Sequence, residues 1–313
     1  MGASMRHRVV MVILLLLCCA CTRSSPGLTS AQPSMSPGTA PTSARGSLAV
    51  RARPVKKLLV FIEENHSLDQ MKVGMPHTYA LARRFGYATD YHAVTHPSLP
   101  NYLAITGGQT FGVTDDDPPA SHPVQAASVF GAALRNGRTA AAYADGMLKN
   151  CAVEDGGDGY AVKHNPWAYF VTERPGCQRY DVPLDALATD VAAGSLPDVG
   201  LVTPNLCHDA HDCGLDVADS WFAGWMKRIF AGPDWRSGRL AVVLTADEDD
   251  RSGDNTVLTV VIHPSQHHNV VSAPLNHYAL TRLYAEVAHT TPPFKAADAP
   301  SLADSFGLRI ANK

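Results

Sequence analysis

The stretch LAVVLTA, residues 240–246, followed at once by Asp247-Glu248-Asp249-Asp250, decides the fold class. Its apolar residues run without a polar alternation, the pattern of a strand covered on both faces inside a parallel sheet. Residues 55–62 (VKKLLVFI), 198–203 (DVGLVT) and 256–262 read the same way. Helical patterns fall around and between them. Residues 78–85 close at Gly86, residues 100–105 at Gly107-Gly108, and residues 124–134 near Gly137. Residues 218–230 form a Trp-rich amphipathic helix, and residues 275–288 the last clear one. Strands separated by helices predict an α/β fold, a three-layer sandwich around a mostly parallel central sheet. Residues 115–183, rich in Gly, Pro and Asp, read as an irregular insertion near the site.

Outside that domain the chain reads as an export signal and a tether. Arg6, His7 and Arg8 precede an apolar run over residues 9–17, shorter than the ~20 residues a membrane span needs and of signal-peptide length. Cys18, Cys19 and Cys21 end it. Cys21 after the small Ala20 reads as a lipidation site; Cys19, with Leu16 three residues before it, competes, and ordinary secretion is the third reading. Residues 1–21 are thus the signal and residues 22–53, dominated by Ser, Thr, Pro, Gly and Ala, a flexible linker. Residues 54–313 are the folded domain, expected at the cell exterior, secreted or on the outer face of the membrane, and monomeric.

The 313 residues are 45% hydrophobic and 18% charged, which excludes a disordered chain. With 26 Lys+Arg against 29 Asp+Glu there is no basic excess for nucleic acid. Contact with a membrane is expected through the N-terminal anchor alone. The four cysteines of the body, an even set in an exported chain, read as two disulfides.

Polar residues gather where the predicted strands end. The first runs into Glu63-Glu64-Asn65-His66 and the second through Asn205 into Cys207-His208-Asp209-Ala210-His211-Asp212-Cys213. The third runs into Asp247-Glu248. Open α/β sheets bind ligands beyond the carboxyl ends of their strands, and this set of oxygens and imidazoles suits a divalent cation or an acid–base pair. Acidic residues after a strand are also ordinary caps and solvated loops. Between the first two strands stands Thr95-His96-Pro97-Ser98-Leu99-Pro100-Asn101-Tyr102, with Pro100 suited to a helix start. Ser98 there is either an N-cap or a hydroxyl poised at the positive end of a helix. Spacing alone favours the cap.

Glu64-Asn65-His66-Ser67, the Ser98 segment, Pro204-Asn205 with His211-Asp212, and Asp247-Glu248-Asp249-Asp250 occur in an order that resembles the bacterial phosphoesterase family. That family holds secreted acid phosphatases and phospholipases C and belongs to the alkaline-phosphatase superfamily. The likeness implies an alkaline-phosphatase-like fold and hydrolysis of phosphate esters. It makes Ser98 the nucleophile and Glu64, Asn65, Asp247 and Glu248 the holders of a metal or of the phosphate. It gives Asn101 either a phosphate oxygen or the support of its turn, and it aims His211 and Asp212 at the pocket, with Asn205 and Asp209 in support. His277-Tyr278 matches a recurring His-Tyr, so His277 joins His211 as a candidate proton donor. An Asp-Glu pair stands where two-metal relatives carry Asp-His, which implies one divalent ion or none rather than two zincs.

The mechanism expected on that basis is in-line attack by Ser98 on a small phosphomonoester or phospholipid headgroup, through a phosphoserine. A histidine protonates the leaving alkoxide, with a working optimum below neutral pH if it must be charged. Two other readings stand beside this acid phosphatase: a phospholipase C-like phosphodiesterase, and a ligand-binding lipoprotein without chemistry. Cys207 and Cys213 flank the His208–Asp212 loop and a bridge between them would clamp it, while Cys151–Cys177 would staple residues 115–183. A Cys/His zinc site from Cys207, His208, His211 and Cys213 is the rival, disfavoured outside the cell.

Overall fold

The strand at residues 240–246 lies where its composition demands, inside an eight-stranded sheet. In this computed structural model, which describes residues 50–312, the strands are β1 (Lys57–Glu63), β2 (Gly86–Ala88), β4 (Ala140–Ala144), β5 (Asp181–Pro183), β6 (Val199–Thr203), β7 (Leu240–Ala246), β8 (Thr259–Ile262) and β9 (Asn269–Val271). Their order is β5-β4-β6-β1-β7-β8-β2-β9. β5, β4, β6, β1 and β7 are mutually parallel, and β8 alone runs against its neighbours. β3 (Tyr91–His92) and β10 (Leu275–Asn276) pair separately as a small parallel ribbon. The mostly parallel α/β sandwich expected from the sequence is present.

Two helical layers cover the sheet. One holds α3 (Ser98–Gly107), α4 (Val129–Arg135), α9 (His277–Ala288) and α10 (Leu302–Phe306). The other holds α1 (Leu68–Gly74), α2 (Pro76–Arg84), α6 (Asp185–Ala193), α7 (Leu215–Ala231) and α8 (Pro233–Arg236). α5 (Arg174–Tyr180) packs at the β5 edge. Leu58 to Ile62 of β1 are at most 1% exposed, and each such side chain contributes roughly 1.5–3 kcal/mol on burial. Phe61 meets Phe222 of α7 edge-on at 5.1 Å between centroids.

Local sequence sets the helix ends. Ser67 and Gln70 form a capping box on α1. Gly108 ends α3 at φ 78°, where a Cβ would strike the main chain of Pro293. All ten residues of α3 are buried, so this helix is an interior element and its first residue is held rigidly. Among the described residues no helix is long and apolar enough to cross a membrane.

Three expectations change. Residues 115–183 are not an insertion: they supply α4 and two strands of the main sheet, β4 between β5 and β6. The strand read at residues 256–262 starts at Thr259 and runs antiparallel. The end of the supposed linker is tied down, since Arg53 N–H donates to the Gly238 carbonyl at 2.9 Å. The signal at 1–21, Cys19, Cys21 and the linker to residue 49 lie outside the described residues. Both expected disulfides are present, Cys151–Cys177 and Cys207–Cys213. The second consumes the thiols that the zinc alternative needs.

Candidate active site

Because β6, β1 and β7 are adjacent and parallel, their C-terminal ends open on one edge of the sheet. β1 carries Glu63 and leads into Glu64, β7 leads into Asp247 and Glu248, and the loop after β6 brings in Asp209; all five carboxyls are buried. The Cys207–Cys213 bridge closes that last loop. Asn205 organises it, accepting from the N–H of Cys207 and of His208 (3.2 and 2.9 Å) and donating to the Asp158 carbonyl (3.0 Å). Asp209 accepts from His211 N–H at 2.8 Å, and its own carbonyl takes Glu64 N–H at 2.8 Å, locking the loop to β1.

Ser98 is the first residue of α3, after Pro97, and its hydroxyl caps nothing. It donates instead to Glu64 Oε2 at 2.9 Å. The hydroxyl thus sits beside a carboxylate at the positive end of a buried helix. Asn65 lies in the left-handed region at φ 53°. That conformation turns its N–H toward Asp247 Oδ1 (3.3 Å), while its Nδ2 donates to Glu64 Oε2 (3.1 Å). Asn101 supports the turn: Oδ1 accepts from the N–H groups of Val94 and Thr95, and Nδ2 donates to the Thr95 and Pro97 carbonyls and to Glu248 Oε2.

Four neighbours, His164, Lys163, Asp116 and His96, have no role assigned from the sequence, although His96 lies in the Ser98 segment and the other three in residues 115–183. His164 sits in a 3-10 turn, Val162–His164, stacked on Tyr102 at 5.1 Å. Its Nε2 is 3.0 Å from Glu64 Oε1 and its Nδ1 3.1 Å from Asp209 Oδ2. Lys163 lies 3.2 Å from Asp116 Oδ2 and 3.3 Å from His211 Nε2. His96 stands 3.1 Å from Glu248 Oε1. Lys163, Asp116 and His211, with Val162, Leu206 and Pro118, line a cavity of about 350 Å³.

His211 therefore faces open space, with Nδ1 against Asp212 Oδ1 at 2.7 Å. His277 does not. It is fully buried, its Nε2 2.6 Å from the Asp247 carbonyl and its Nδ1 3.2 Å from the Tyr91 hydroxyl. A carbonyl only accepts, so Nε2 carries the proton and Nδ1 accepts from Tyr91. Burial pushes the imidazole down to about 4. A neutral ring with both nitrogens occupied is a poor proton donor to a substrate, and the geometry makes His277 a support for Asp247.

Burial, then mutual repulsion, raises the carboxyls. Glu63, Glu64 and Asp247 lie well above the usual range, and Glu248 is pushed up to about 8. Burial alone would lower the Lys163 ammonium, but Glu64 and Asp116 outweigh it and hold it up. Buried carboxylates need a cation or a proton. Glu64 Oε1, Asp247 Oδ2, Asp209 Oδ2 and both ring nitrogens of His164 have no hydrogen-bond partner. The His164 contacts are close in distance but misaligned for hydrogen bonds. Oxygen and imidazole nitrogen are the donor types a divalent ion takes, but these side chains do not bring three donor atoms within 4.8 Å of one another. The set differs from the sequence expectation, because Glu248 is turned to Asn101 and His96. Among the described residues, the three-donor groups within 4.8 Å of one another lie elsewhere, at Asp115-Asp117-His122 and Cys151-Cys177-Asp181. The first is on the surface and the second contains a disulfide.

Residues 72–280 match the phosphoesterase family. The chain is 28% identical over 272 residues to a phosphatidylinositol-3-phosphatase of Mycobacterium tuberculosis, covering 83% of this chain and 86% of that one. It is 32% identical over 177 residues to a phosphate-repressible acid phosphatase of Penicillium chrysogenum, covering 54% of this chain and 42% of that one. A crystal structure of an alkaline-phosphatase-superfamily protein from Vibrio parahaemolyticus superposes with TM-score 0.56 at 10% identity, over 82% of this chain and 73% of that one. That last likeness speaks for the fold. The family match spans most of the folded domain, with the polar ends of β6 and β7 and the Ser98 segment inside it, so this chain belongs to the phosphoesterase family and is a phosphoric ester hydrolase.

Proposed function

We propose that the protein is an exported acid phosphatase that hydrolyses small phosphomonoesters, a phospholipid headgroup among them, through a phosphoserine at Ser98, and that it acts as a monomer. The observation that carries the reading is the Ser98 hydroxyl donating to Glu64 Oε2 at 2.9 Å at the N-terminal end of α3. Glu64 draws the hydroxyl proton as the oxygen attacks phosphorus in line. His211, oriented by Asp212 on the cavity wall, protonates the departing alkoxide and then takes a proton from the water that hydrolyses the phosphoserine. Asn101 keeps the turn before Ser98 in register with Glu248. Asn65 braces Glu64 against Asp247, and His277 holds the Asp247 main chain.

One divalent cation belongs to this reading, held by Glu64 and Asp247 with Asp209, His164 and Asn65 beside them. When bound it neutralises charge on the transferring phosphoryl group and lowers the hydroxyl pKa. The test compares an aryl phosphomonoester with the matching diester, with and without chelator, in wild type and Ser98→Ala. Monoester turnover falling at least about a thousandfold in Ser98→Ala, with chelator-sensitive wild type, is the expected result. Faster diester turnover would favour the phospholipase C-like reading, and substantial Ser98→Ala activity would sink the nucleophile.

A further inference from the structure

The amide that a phosphate oxygen would need at Ser98 is already occupied. Leu99 N–H, the second of α3, donates to Asp116 Oδ1 at 2.9 Å. The other oxygen of that carboxylate, Oδ2, accepts from Lys163 Nζ at 3.2 Å. Lys163 in turn stands 3.3 Å from His211 Nε2 on the wall of the open cavity. One carboxylate, brought from a separate loop, thus sits on a helix-terminal amide and an ammonium at once. It does so next to the hydroxyl that phosphorus must approach.

We propose that Asp116 is a built-in stand-in for the substrate phosphate. Its carboxylate holds the anion position formed by Leu99 N–H and Lys163, and an incoming phosphate dianion displaces it and takes over both donors. The inference rests on the reading of Ser98 as the site of phosphoryl transfer, and it assigns Leu99 N–H and Lys163 to phosphate binding. Three observations support it. The donors match phosphate chemistry, an amide at a helix N-terminus and a cation. The Asp116 side chain is 30% exposed and lines the cavity, so it has space to leave. Two anions on one amide repel strongly, so Asp116 and phosphate exclude each other. Between substrates the carboxylate keeps Lys163 neutralised and the first turn of α3 capped, and the exchange of one anion for another leaves neither donor unpaired.

The test measures binding of inorganic phosphate to the full chain by calorimetry, alongside kcat and KM for an aryl phosphate. Variants are Asp116→Asn, Asp116→Ala and Lys163→Met. Removing the internal anion should tighten phosphate about tenfold and lower KM, whereas Lys163→Met should weaken phosphate about tenfold. Unchanged or weaker phosphate binding in a folded Asp116→Asn overturns the proposal. If neither Asp116 variant folds, Lys163→Met decides, and an unchanged affinity there overturns it. A wild type that neither hydrolyses the aryl ester nor binds phosphate would instead overturn the phosphatase reading itself.

Discussion

His277 Nε2 donates to the main-chain carbonyl of Asp247 at 2.6 Å, joining the start of α9 to the end of β7 beneath the carboxyl cluster. Burial holds this imidazole at about 4, against roughly 6.5 in an unfolded chain. Between those values the unfolded state binds the extra proton, so stability rises with pH there. The wild type should lose about 3 kcal/mol relative to His277→Asn as pH falls from 6.5 to 4. Urea titrations across that range measure the difference. A constant gap between the two proteins would mean that His277 titrates normally.

The carboxyls carry the opposite sign. Burial, then neighbouring negative charge, lifts Glu64 and Asp247 well above their usual range and Glu248 to about 8. Folded protein free of metal therefore binds more protons than unfolded chain from about pH 4.5 to 8, and these groups make it less stable as pH rises. A divalent cation competes with those protons, so its affinity should tighten with pH and its stabilisation should be largest near pH 8. Melting temperatures with magnesium, manganese, calcium or zinc against chelator, at several pH values, check this. A cation effect that shrinks with rising pH would contradict it.

The strand ends were legible because β1, β6 and β7 are apolar runs that stop at acidic or amide residues. Ser98 became legible by resemblance, since a serine before Pro100-Asn101 looks like a cap on spacing alone. β4 was missed because Ala140-Ala141-Ala142-Tyr143-Ala144 has little strand propensity and takes its conformation from β5 and β6 on either side. His164 and Lys163 were missed because a 3-10 turn has no periodicity to read, and tertiary packing alone brings them to Glu64. His277 misled because a histidine at a helix start looks the same in sequence whether it faces a pocket or a carbonyl.

The two disulfides should separate stability from activity. Cys151–Cys177 closes 26 residues and Cys207–Cys213 closes 6. By loop entropy their removal costs about 3.5 and about 2 kcal/mol. The shorter loop carries Asp209 to Glu64 and His164, so Cys207→Ser with Cys213→Ser should cost more activity despite its smaller stability loss. Urea midpoints and kcat on the two double variants test the crossover. Equal ordering of both losses would mean that the short bridge does not position the site.

Asn101 separates two roles that its sequence position left open. Its Oδ1 accepts from the N–H groups of Val94 and Thr95, and its Nδ2 donates to two carbonyls and to Glu248. With those atoms committed, the side chain has little left for a phosphate oxygen. Asn101→Ala would strand buried main-chain groups beside Ser98, at a cost of about 1–3 kcal/mol for an unsatisfied group. It would also free Glu248 to move. The expected kinetic signature is a large fall in kcat with little change in KM, together with a lower urea midpoint, because the hydroxyl is misplaced while the phosphate donors remain. A phosphate ligand would behave differently: KM and the inhibition constant of inorganic phosphate would rise together while the urea midpoint held. That second pattern would return Asn101 to the substrate.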